Sequence, residues 1–223
     1  MPFQEQTLVK TRESILSVNR VLRNTYLLLS LTLVFSAITA YTAMIINAAP
    51  MNIFVLLLGY FGLLFITTRL RNSAWGLLAI FAFTGFLGYT LGPILNLYIK
   101  SFSNGTQLIM TSLGATGVIF FGLSAYALTT RKDFSYLAGF LFVGISAAFI
   151  LGLVSMFFHL SMLSLLVSCA FVLLSSGIIL FQTSLIINGG ERNYIMATIT
   201  LYIALFNLFI SLLNILSVFG GRR

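Results

Sequence analysis

The feature that most constrains this chain is where its charges are missing. Arg23 and Arg69 are separated by 45 residues without an Asp, Glu, Lys or Arg. Four further gaps follow: 28 residues between Arg71 and Lys100, 30 between Lys100 and Arg131, 57 between Asp133 and Glu191, and 29 between Arg192 and Arg222. A helix needs about 20 apolar residues to cross the hydrocarbon of a bilayer, so the gaps hold two, one, one, two and one crossings. Runs of this length cross as helices, because lipid offers no partner to an open backbone amide. A membrane β-barrel would instead show short alternating segments. The fold class that follows is an all-α membrane protein, a bundle of seven transmembrane helices.

Composition closes the other routes. The chain is 59% hydrophobic and 7% charged, with a mean hydropathy of +1.07, whereas a soluble domain carries about 25% charged residues. Disorder and coiled coil fail for the same reason, and a single cysteine cannot staple a disulfide scaffold. The two long gaps must contain turns. The first breaks at Asn47-Ala-Ala-Pro50-Met-Asn52, where proline and two asparagines interrupt a helix, and the second near His159-Leu-Ser161. The organisation expected is a polar N-terminal tail over 1–24, a bundle over 25–218 and a short C-terminal tail over 219–223. The spans fall at 25–46, 52–68, 75–98, 107–129, 134–158, 161–187 and 194–218. The first is too long for a signal peptide and lacks a small-residue cleavage site, so it reads as an anchor.

Orientation follows from the basic residues. With the N-terminus in the cytoplasm, nine Lys and Arg lie inside (Lys10, Arg12, Arg20, Arg23, Arg69, Arg71, Arg131, Lys132 and Arg192), against Lys100, Arg222 and Arg223 outside. The positive-inside rule favours N-in and C-out. The net charge of +8 is then a topological signal. No basic stripe interleaved with aromatics marks a nucleic-acid partner; the bilayer is the partner that composition implies.

No ionisable residue sits in the middle of a span, which is where membrane chemistry is usually marked. Residues 193–221 hold no lysine for a retinal Schiff base, and one histidine with one cysteine cannot build a metal site. No cofactor and no enzymatic activity are expected. Gly122-Leu-Ser124-Ala125 faintly resembles a serine-protease motif with His159 as base, but the two residues belong to opposite ends of the bundle, and a nucleophile must touch its base. Cys169 is expected to be a small packing residue. In the third span Gly85, Gly88, Gly92 and Asn96 share one face, with Pro93 beside them. They form either a tight helix seam or a bending helix that lines a cavity. In the seventh span Thr200, Asn207, Ser211 and Asn214 share a face, with Ala204 in the gap, and Gln182 and Thr183 approach from the sixth. These residues either hydrogen-bond between helices or line a polar cavity.

Several of these stretches resemble one family. Gly88-x-x-x-Gly92-Pro93, Phe181-Gln-Thr-Ser-Leu-Ile-Ile-Asn-Gly-Gly-Glu-Arg-Asn-Tyr194 and Leu201-Tyr-Ile-Ala-Leu-Phe-Asn-Leu-Phe-Ile-Ser-Leu-Leu213 resemble the Bax inhibitor-1 family. Val21-Leu-Arg-Asn-Thr-Tyr26, Ala82-Phe-Thr-Gly-Phe-Leu-Gly-Tyr89 and Leu128-Thr-Thr-Arg-Lys-Asp133 narrow the resemblance to its bacterial YccA-like branch. It runs from about residue 19 to 216 and implies a seven-helix bundle. The branch implies a bacterial inner-membrane protein that binds and competitively modulates the membrane AAA protease FtsH, and with it the protease's membrane-associated regulators. Such a protein is also a slow substrate, gripped by its cytoplasmic N-terminal tail. The family's other model is a pH-sensitive calcium leak closed by two aspartates. Their positions match Gln182 and Ala204, which neither titrate as carboxylates nor ligate calcium. An arginine that latches this pair in the family corresponds to Arg69.

Overall fold

The computed structural model describes the backbone of residues 2–221 and the side chains of residues 18–221. Seven long helices follow one another: α1 (Pro2–Ile45), α2 (Ile53–Leu70), α3 (Trp75–Ser101), α4 (Gly105–Thr130), α5 (Ala138–Phe157), α6 (Ser161–Ile187) and α7 (Tyr194–Gly220). A 3-10 turn, Ser135–Leu137, leads into α5. All seven contain a stretch long and apolar enough to cross a membrane, beginning in α1 at Val18. α1 continues as helix through the polar segment that precedes the first apolar run. Arg222 and Arg223, the end of the C-terminal tail, lie outside the described residues.

The helices end where side-chain chemistry lets the backbone turn. Asn47, His159 and Gly189 take positive φ after α1, α5 and α6. In each case the next amide reaches back five residues: Ala48 N to Ala43 O, Leu160 N to Ser155 O, and Gly190 N to Leu185 O. This is the Schellman closure, which satisfies otherwise orphaned carbonyls. Asparagine tolerates the left-handed conformation, and a glycine pays nothing for it. Asn52 then caps α2 by accepting from Phe54 N at 2.9 Å. Asn193 caps α7 by accepting from Ile195 N and Met196 N, and its Nδ2 also donates to Arg71 O and Asn72 Oδ1. The α6–α7 and α2–α3 loops are thereby joined.

That junction defines a basic end of the bundle. Arg20 and Arg23, at the start of the apolar stretch of α1, lie there with Arg69, Arg71, Arg131, Lys132 and Arg192 of the helix ends and loops. Lys100, in the last turn of α3, is the only cation at the far end among the residues with described side chains. Asp133 and Glu191, the acids among those residues, also belong to the basic end.

Packing is unequal. α7 is central, against α1, α3, α4 and α6, whereas α2 packs chiefly on α3 and α5 chiefly on α6. α2 buries only Thr67 and presents Phe54, Leu58 and Phe65 outward. The core is built on α7, with Ile195, Ile199, Leu201, Ala204 and Leu208 clustered with Leu29, Ile80, Phe83 and Ile179. Within it the Tyr202 hydroxyl donates to Thr84 O at 3.1 Å. Since it has one proton, it must accept from Ser36 Oγ at 2.6 Å. One side chain of α7 thus hydrogen-bonds both α1 and α3.

The glycine face of α3 is a seam against α1. A Cβ at Gly85 would meet the Phe35 ring, one at Gly88 the Ser36 carbonyl and Thr39 hydroxyl, and one at Gly92 the Ala43 methyl and Ala40 carbonyl. Pro93 is buried beside them, inside an α3 that stays helical to Ser101. Asn96 extends the same face and donates from Nδ2 to Met44 O at 3.0 Å, which fastens the end of α1.

Candidate functional site: a polar cleft between α5, α6 and α7

A cleft of about 1240 Å³ opens at the far end of the bundle, between α5, α6 and α7. Three of the polar positions on the α7 stripe, Asn207, Ser211 and Asn214, line it, together with Ser155, Ser164 and Ser168. Asn214 spans the cleft wall: its Nδ2 donates to Ser168 Oγ at 2.8 Å and Ser164 Oγ at 3.2 Å. Ser164 and Ser168 lie four residues apart and so on one face of α6. Asn207 and Ser211 line the cleft, and Asn214 both lines it and hydrogen-bonds across to α6. Ser164 and Ser168 were not singled out from sequence. Their signal was register, since counting outward from the α6–α7 loop brings Ser168 opposite Asn214.

The remaining candidates lie elsewhere. Thr200 turns its hydroxyl back onto Met196 O at 3.0 Å, within α7, and does not line the cleft. Asn96 belongs to the α1–α3 seam. Ala204 is fully buried in the central core. Gln182 is buried with its Nε2 lacking a hydrogen-bond partner among the described residues. The hydroxyls of Thr25, Ser124, Ser175 and Thr183 share that condition. These groups lie between the middle of the bundle and its basic end.

The cleft's lining reaches Phe171 on α6 and Asn207 on α7. Toward the basic end from there, the same two helices bury Leu174, Ile179, Leu201 and Leu205 together with the polar Ser175, Gln182, Thr183 and Thr198. Arg69 is exposed at the basic end of α2, a helix that packs on α3 rather than on α6 or α7. Ser124 lies on α4 toward the basic end and His159 in the far-end turn before α6, so the two do not form a nucleophile–base pair. Cys169 is a correction to expectation: it is exposed on α6 rather than packed. In a membrane its small apolar side chain costs nothing there, because lipid is as apolar as a core. Among the described residues no three His, Cys, Asp or Glu side chains converge as metal ligands.

Comparison with known proteins agrees with the architecture. The family model "Inhibitor of apoptosis-promoting Bax1" matches residues 18–221. The chain is 50% identical over 211 residues to the Escherichia coli K12 protein named "Modulator of FtsH protease YccA", covering 95% of both chains. It is 56% identical over 204 residues to an uncharacterised protein of Pseudomonas aeruginosa, covering 92% of this chain and 91% of that one. A Vibrio cholerae membrane protein is 44% identical over 217 residues, with 97% of each chain covered. With seven membrane-length helices, an α7-centred core and a family match over nearly its whole length, the chain belongs to the Bax inhibitor-1 family.

Proposed function

We propose that this protein is an inner-membrane modulator of the FtsH protease, oriented with its N-terminus in the cytoplasm. The observation that carries the reading is the 50% identity, across 95% of the chain, to a protein named for that role. Two features of the molecule are consistent with it. Seven of the eight cations among the described side chains gather at the end from which α1 emerges, the distribution that places an end in the cytoplasm. A processive protease needs polypeptide to grip, and the polar part of α1 before Val18 supplies it on that side. The bundle behind it is slow to extract, so the protease is occupied and other membrane substrates are spared.

A calcium leak gated by a carboxylate pair is the less supported reading. Neither Gln182 nor Ala204 carries a carboxylate, and both are buried. The test is copurification in mild detergent from cells in which the turnover of another FtsH substrate is followed. The full chain should retain FtsH and slow that turnover, and a chain lacking residues 2–17 should not slow it. If the full chain neither binds FtsH nor alters turnover, the reading fails.

A further inference from the structure

A second concavity, of about 500 Å³, lies between α1 and α4 with α3 and α7 as its floor. Its lining is almost wholly apolar: Leu33 and Met44 on α1, Leu95 on α3, Leu113 on α4, and Leu205 and Phe209 on α7. It runs along α1 from Tyr26 to Met44, a length of about 27 Å at 1.5 Å per residue. A groove this long and this apolar, open along one side, suits an extended hydrocarbon chain.

The two ends of the groove differ. Toward the basic end Tyr26 of α1 and Phe120 of α4 close it, with ring centroids 5.9 Å apart. At the far end it reaches Met44, and one turn beyond lies Asn47, whose Oδ1 accepts from Lys100 Nζ at 3.1 Å. Lys100 is exposed, bonded there to a neutral amide, and the described acids lie at the opposite end of the bundle. An ammonium with no acid near it among the described residues, beside the open end of an apolar groove, suits a phosphate attached to an acyl chain.

We propose that the α1–α4 groove is a lipid site that takes one acyl chain of an anionic phospholipid, with the phosphate at Lys100. Gly117 permits a clean test. It lines the groove, and a Cβ added there meets no atom within 4 Å, so Gly117→Leu starts its side chain into open groove space. Gly114 is equally unobstructed, is exposed, and is absent from the groove lining, so Gly114→Leu is the matched control.

Native mass spectrometry of the detergent-purified protein would be titrated with phosphatidylglycerol and with phosphatidylcholine of identical chains. The expected result is one tightly retained phosphatidylglycerol on the wild type and on Gly114→Leu. Gly117→Leu should weaken retention about tenfold or more through lost apolar contact. Lys100→Gln should weaken phosphatidylglycerol about fivefold and leave phosphatidylcholine unchanged. Thermal unfolding would confirm that all variants are folded. Equal retention by Gly117→Leu and Gly114→Leu overturns the site. Equal retention of the two lipids by the wild type overturns the anionic assignment. A photoreactive side chain at position 113 that captures protein rather than lipid in cells would give the groove to a partner helix and overturn the proposal as well.

Discussion

At the scale of single residues, the polar side chains of this bundle fall into those that join helices and those that join nothing. Tyr202 is the clearest of the first kind, holding Ser36 of α1 and Thr84 of α3 from the centre of the core. Removing its hydroxyl in Tyr202→Phe takes this partner from the buried Ser36 hydroxyl and a second hydrogen bond from Thr84 O, at a cost of about 1–2 kcal/mol. The check is a lowered midpoint of thermal unfolding in detergent. Gln182 is of the second kind. Its amide nitrogen is buried without a partner, and replacing such a group by an apolar one of similar size is neutral or stabilising. Gln182→Leu is therefore expected to hold or raise the unfolding midpoint and to leave FtsH-dependent turnover as in the wild type. A loss of modulation in a well-folded Gln182→Leu would show that the position still acts.

At the scale of helices, the α1–α3 seam is the most extensive helix–helix contact among the described residues. Gly88→Leu drives a side chain into the backbone of α1 at Ser36, whereas Gly122→Leu on α4 meets nothing within 4 Å. The first should cost about 3 kcal/mol, near the upper range for overpacking, and the second almost nothing. Unfolding midpoints of the pair would measure the difference. The seven spans and their turns were legible in the sequence, because charges and turn-formers have to sit where the chain leaves the hydrocarbon. The shared face of the three glycines was legible from their spacing, which left open whether it forms a seam or a bend lining a cavity. Which helix occupies the centre was not legible. α2 and α5 are as apolar as α7, yet they face outward, since lipid and protein core select the same side chains. The polar cleft was only half legible. Asn207, Ser211 and Asn214 announced a face, but their serine partners on α6 depended on the register of two antiparallel helices, and Thr200 spent its hydroxyl on its own backbone.

At the scale of the whole molecule, a polar helical segment leads directly into a span that is sealed against α3 and pinned to α7. Deleting residues 2–17 should leave the unfolding midpoint within about 1 °C, because the apolar spans and their contacts remain; it should also lengthen the half-life of the protein in cells that contain FtsH. Pulse-chase decay of the two chains would measure this. The continuity of α1 has a mechanical consequence. A motor that draws on its leading segment pulls along the helix axis, parallel to the seam. The contacts from Phe35 to Ala43 are then loaded together in shear, instead of being peeled apart one after another, and a shear-loaded seam yields only when most of its length gives way at once. Under the proposed function, the glycines that bring α1 and α3 together would set the load this seam bears before α1 slides free.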